Sequence, residues 1–127
     1  MFGRKRQKQL EARAEFENSI DTETLKDEPF IVEPDEVYPM VTSTAIIGKV
    51  TSGMYEVGTP IGIETAGQII HSKKYSVTLP GTRIPKEDIG TVYKGDTVGF
   101  IFEDIMSRIL DKEIRVKTSS WNELHSS

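Results

Sequence analysis

Thr44–Ile63 reads TAIIGKVTSGMYEVGTPIGI, and the spacing of its apolar residues and glycines decides the fold. Ile46, Gly48 and Val50 fall on one face of an extended chain, with Lys49 on the other, and Ile61 and Ile63 repeat the pattern after Pro60. Alternation with a period of two marks strands that bury one face. Gly53 and Gly58 stand five apart, which suits two chain reversals needing positive φ with a short segment between them. Pro60 suits the start of a strand, where its missing N–H costs least.

Moving outward, Val37–Val50, Pro60–Glu64, Ile69–Leu79, Thr97–Glu103 and Ile114–Lys117 are all strand-like runs rich in Val, Ile and Thr. Val98, Phe100 and Phe102 share a face in the fourth run. Nine of the ten glycines lie after residue 47, and with six prolines they punctuate the runs. Structural turn roles are expected for Gly48, Gly53, Gly58, Gly67 and Gly95. Pro80–Gly90, PGTRIPKEDIG, reads as the longest loop and a natural place for a binding surface. Short strands joined by tight turns predict an all-β fold, a small antiparallel barrel or sandwich.

Charge divides the chain further. Residues 1–14 carry five bases and one acid, residues 15–36 one base and nine acids, and residues 37–127 ten of each. Such a charged N-terminal stretch buries too little apolar surface to offset chain entropy, so residues 1–36 are expected to be a mostly disordered or partly helical appendage. Within it, residues 4–19 are good helix formers, with Leu10, Ala14 and Phe16 as a partial apolar face. The cations of Gly3–Lys8, GRKRQK, suit either a solvated tail or an anionic surface. Residues 37–118 form the expected barrel and 119–127 a C-terminal tail. With no Cys, disulfides and thiolate chemistry are excluded. No apolar run approaches the ~20 residues of a membrane span, and a cytoplasmic protein is expected.

Three segments together carry a resemblance. The run Thr44–Ile63, the segment YKGDTVGFIF at Tyr93–Phe102 and the segment DIMSRILDKEIRV at Asp104–Val116 are similar, in order and spacing, to the second domain of translational GTPases such as elongation factor Tu. The resemblance spans about Val41 to Lys117. It implies a six-stranded closed Greek-key β-barrel that is not catalytic and whose surfaces meet tRNA, ribosomal RNA or partner proteins. Similar barrels also serve as accessory domains of enzymes. One departure is Asp111-Lys112-Glu113, where the family keeps a glycine at the turn before its last strand.

Ile63–Ile70, IETAGQII, tests whether the chain hydrolyses nucleotide, because an apolar strand runs into Asp-Thr-Ala-Gly-Gln in small GTPases and Glu64 stands where that Asp would be. Phosphate binding needs a Gly-rich loop ending in Lys and a magnesium-binding hydroxyl. Gly48-Lys49 lacks the earlier glycine, since Ser43 sits five residues before it, and Val50 replaces the hydroxyl. No Asn-Lys-x-Asp motif follows. His71 and His125 stand apart from any ligand cluster, and the pairs Glu87-Asp88 and Glu103-Asp104 suit solvated carboxylates better than an acid and a base. Neither a nucleotide nor another cofactor is expected.

What is left is a non-catalytic binding module, with a protein partner or ribosomal or transfer RNA as its target. The alternative is a protein–protein adaptor or accessory domain unrelated to translation. Lys73, Lys74 and Tyr75, and Arg83 with Lys86, are the local candidates for partner contact, although lysines also defend strand edges. Trp121, the sole Trp, suits a cap on the barrel's open end or an aromatic anchor.

Overall fold

The computed structural model describes residues 2–110 and 113–126, with side chains from residue 8 onward. Among the described residues, helices α1 (Phe2–Asn18) and α2 (Thr22–Asp27) precede nine strands, β1 (Phe30–Pro39), β2 (Thr44–Ser52), β3 (Met54–Glu56), β4 (Ile61–Thr65), β5 (Gln68–Ser72), β6 (Tyr75–Thr78), β7 (Thr91–Tyr93), β8 (Thr97–Phe102) and β9 (Ile114–Thr118). Helix α3 (Trp121–His125) closes the chain. Seven strands pair in the order β5-β4-β9-β1-β2-β8-β6, and β3 pairs with β7 separately. All the pairings are antiparallel.

The period-2 faces become the interior. Phe30 and Val32, Ile46 and Val50, Ile61 and Ile63, Val98, Phe100 and Phe102, and Val116 are all fully buried in one core. Phe30 stacks on Tyr55 at 4.9 Å and Phe100 on Phe102 at 5.5 Å. Each such aromatic contributes about 1.5–3 kcal/mol by burial. Where two backbones come close, only glycine fits. A Cβ on Gly48 would lie 2.3 Å from the Glu33 carbonyl oxygen, and one on Gly53 would lie 2.6 Å from that of Pro29.

The expected barrel is a curled half-barrel of seven strands with a two-stranded annex, and it is neither six-stranded nor closed. Hydrogen bonding explains the opening. Ile69–Leu79 is interrupted at Lys73-Lys74, whose N–H groups donate to the Asp104 carboxylate at 2.6 and 3.2 Å, with Ser72 Oγ donating at 2.6 Å. The donors that would continue a ladder end on a side chain, so β5 and β6 remain the two edges. Val37–Val50 is likewise two strands of one hairpin, folded at Met40–Ser43.

The boundary at residue 36 also moves. Strand β1 begins at Phe30, seven residues before the expected start of the barrel, because Phe30 and Val32 supply buried faces despite the carboxylates around them. Gly48 is not a turn residue either: it lies inside β2, opposite Pro34. Gly53, Gly58, Gly67 and Gly95 do adopt positive φ, between 75° and 103°. The departure expected at Asp111-Lys112 lies outside the described residues, as do the side chains of the cations at residues 4–6.

Ahead of the sheet, α1 is a regular helix that ends at Asn18, where Ser19 N–H and Oγ bond to Phe16 O. Asp21 caps α2 by accepting the Thr24 N–H at 3.4 Å, and its second carboxylate oxygen accepts from Thr24 Oγ1 at 2.8 Å. Leu25, Met54 and Tyr93 form a second small core, with Phe16, Ile20 and Trp121 packed against it.

Candidate functional site

An opening in the surface follows from two residues of β1. On one side, among the described residues, β1 pairs with β9 over Phe30–Val32 and no further. The ladder stops where Pro34 would have to donate an N–H it does not possess. On the other side, the β1–β2 register shifts between Pro34 and Glu36, a bulge that bends the strand. Meanwhile β9 turns to β4, pairing Arg115 with Glu64 and Ile114 with Thr65. Strands that are neighbours at Val32 and Val116 therefore splay apart.

A groove of about 610 Å³ fills the gap. Glu33, Pro34, Asp35 and Val37 form one wall; Glu64 to Gly67 and Glu113 to Arg115 form the other. Its described lining carries four carboxylates and one guanidinium. Arg115 Nε lies 3.4 Å from Glu33 Oε1, and Lys117 Nζ reaches Glu64 Oε2 at 3.2 Å from outside the lining. Beyond the groove, the hairpin tip exposes Val37, Tyr38, Met40 and Val41. Tyr38 donates its hydroxyl to Glu36, and that bond raises its pKa.

Of the residues singled out in the sequence, Lys73 and Lys74 are exposed on the bend before β6, and Lys74 Nζ lies 3.5 Å from Glu103. Asp104, which holds that bend, is pushed up by desolvation, but the hydrogen bonds from Ser72, Lys73 and Lys74 prevail and keep it below the usual carboxylate range. Arg83 and Lys86 are exposed on the loop that leaves the other end of β6, so the two pairs flank that strand. Tyr75 has a structural place. Its ring tilts against Phe100 and Phe102, and its hydroxyl meets Tyr55, donates to Thr59 O at 2.8 Å and accepts from Gly58 N–H at 2.9 Å. Burial first, then the Tyr75 contact, pushes the Tyr55 hydroxyl far above its ordinary pKa. Trp121 stacks on His125 at 4.1 Å and packs against the second core, with Lys26 Nζ 5.9 Å from its ring.

Sequence reasoning missed Arg13. Its guanidinium donates to Asp96 Oδ1 at 2.6 Å, Asp96 Oδ2 at 2.7 Å and Thr91 O at 2.9 Å, between the rings of Phe16 and Tyr93. Desolvation opposes its charge, but the Asp96 bonds and charge outweigh it and raise the pKa. Asp96 also accepts the Tyr93 N–H at 2.8 Å. Sequence reasoning missed the groove too, although Pro34 beside the alternation of Phe30 and Val32 is a signal for an edge. Among the described residues, no group of three or more His, Cys, Asp or Glu side chains gathers as a metal site.

No protein-family model matches the sequence, and no curated protein matches it. Solved structures do. Translation elongation factor SelB from Methanococcus maripaludis, in its apo form, is similar over 71% of this chain, with a TM-score of 0.55 at 18% identity. The chain has the fold of a segment of a translation elongation factor. A bacterial selenocysteine-specific elongation factor, EF-Sec, is similar over 87% of it, with a TM-score of 0.54 at 12% identity. The two matches take in most of this chain but only 19% and 18% of the elongation factors' own lengths. Among the described residues, no helix is long and apolar enough to cross a membrane.

Proposed function

We propose that the protein is a non-catalytic, cytoplasmic binding module of the translation-factor type, and that its partner is a polypeptide. The observation that carries this reading is the carboxylate-lined groove set into a barrel of elongation-factor fold. Phosphate backbones are held by Lys and Arg, whereas this groove would repel them. The other conspicuous carboxylates are engaged in holding the fold, Asp96 by Arg13 and Tyr93, and Asp104 by the β5–β6 bend. They serve as structural acceptors.

RNA docking is the second reading, favoured by the exposed cations Lys73, Arg83 and Lys86 at the two ends of β6. Affinity capture with the full chain separates the two. Recovery of one protein that survives nuclease and raised salt supports the polypeptide partner. Recovery of ribosomal or transfer RNA that falls steeply with salt supports RNA instead. Tight GTP binding in calorimetry, or turnover above background, overturns both.

A further inference from the structure

We propose that the groove between β1 and β9 receives an extended, Lys- or Arg-bearing segment of another protein, which adds as a strand to the free edge of β1. This rests on the polypeptide reading above and names its site. Three observations carry it. First, among the described residues, β1 from Glu33 to Pro39 pairs with β2 and with no strand on its other side, so that edge forms a wall of the groove. Main-chain hydrogen bonds to such an edge supply affinity in strand addition. Between Pro34 and Pro39, which have no N–H to donate, the four residues Asp35 to Tyr38 present roughly 14 Å of edge at ~3.4 Å per residue.

Second, the walls select charge. Asp35 and Glu113 face the groove beside Glu33 and Glu64, so alternate cations on an incoming strand would meet carboxylates on both sides. A second copy of β1 would bring Glu33, Asp35 and Glu36 against these same acids, which disfavours self-pairing. Third, the edge leads to apolar ground. Val37 and Ile114 line the groove, and Tyr38, Met40 and Val41 are exposed at the hairpin tip just beyond, where apolar residues at the end of the incoming segment would lie.

The test uses an acetylated, amidated peptide of alternating lysine and valine, titrated into the isotope-labelled full chain at low salt. The expected result is saturable movement of the amide resonances of Asp35, Glu36, Val37 and Arg115. A copy of the peptide methylated on alternate backbone nitrogens should bind about tenfold more weakly, because it keeps the charge and loses the ladder. Asp35→Asn with Glu113→Gln should weaken the unmodified peptide severalfold. Equal binding of the methylated peptide, shifts elsewhere on the barrel, no saturable binding, self-association through these residues, or an oligouridine moving the same amides would each overturn the proposal. If the peptide fails while capture still returns a protein, the site is wrong and the module reading stands. If capture returns only RNA, the module reading falls with it.

Discussion

Phe30 and Arg13 both fasten the N-terminal part of the chain to the barrel, and they do so by different means. Phe30 is fully buried, stacked on Tyr55 and edge-on to Phe100 at 6.5 Å, in a strand end paired to β9. Arg13 reaches from α1 to a single carboxylate and one carbonyl. Burial is non-directional and shared among many neighbours. A guanidinium–carboxylate fork is strong only while its geometry holds. The barrel should therefore unfold as one body, while α1 can leave it with the barrel intact.

Removing a central core residue breaks the barrel as one body. Phe100 contacts Phe30, Tyr55, Tyr75 and Phe102, so Phe100→Ala should cost about 3–5 kcal/mol and still melt the sheet in a single transition. Near-ultraviolet circular dichroism and hydrogen exchange in β1, β2 and β8 with coincident midpoints would show it; separate transitions among these strands would deny the common core. Gly48→Ala attacks the barrel from the backbone side. Its Cβ would meet the Glu33 carbonyl oxygen at 2.3 Å and Pro34 Cα at 2.9 Å, and neither is a flexible side-chain end. A loss of about 1–3 kcal/mol in urea unfolding is expected, with the groove wall displaced.

Arg13→Ala should separate the two regions. Docking of α1 should weaken by roughly 1–3 kcal/mol while the barrel midpoint hardly moves, since Asp96 keeps its Tyr93 N–H bond. Hydrogen exchange would report faster amides in α1 and unchanged ones in β2 and β8. Arg13→Lys keeps the charge but not the two-pronged fork, so it should restore docking only in part. Full restoration would mean that charge alone holds the helix.

The same contrast explains what was legible in the sequence. Ile46 with Val50, and Val98 with Phe100 and Phe102, announce their burial because a period of two is written locally. Gly53, Gly58, Gly67 and Gly95 announce turns because positive φ is a property of one residue. Strand β1 was half hidden, since Glu33, Pro34, Asp35 and Glu36 give it the composition of a tail. Strands β3 and β7 are three residues long, too short to display a period. Arg13 and Asp96 lie 83 residues apart, and the groove exists only because β9 returns beside β1. Both depend on tertiary placement that no local pattern encodes. Tyr75, by contrast, was visible as an aromatic beside two lysines, and only packing shows that its ring belongs to the interior.

The smallest effect concerns the C-terminal helix, which is fastened in the manner of α1. His125 Nδ1 lies 2.8 Å from Trp121 O and Nε2 lies 2.6 Å from Glu56 Oε2. Both partners are acceptors, and only the imidazolium has a proton for each. The Glu56 bond, followed by the Trp121 bond, accordingly raises the His125 pKa above 6.5. A group with a raised folded pKa contributes its stability fully below the unfolded value and loses it as pH rises through the folded one. The hold of α3 on β3 should thus be complete below pH 6.5 and relax above it. Trp121, the sole Trp and stacked on that ring, reports the change directly through its fluorescence across about pH 5.5 to 8. His125→Gln should flatten the profile while leaving the barrel midpoint where it was. A profile that persists in that variant would trace the pH response to a different group.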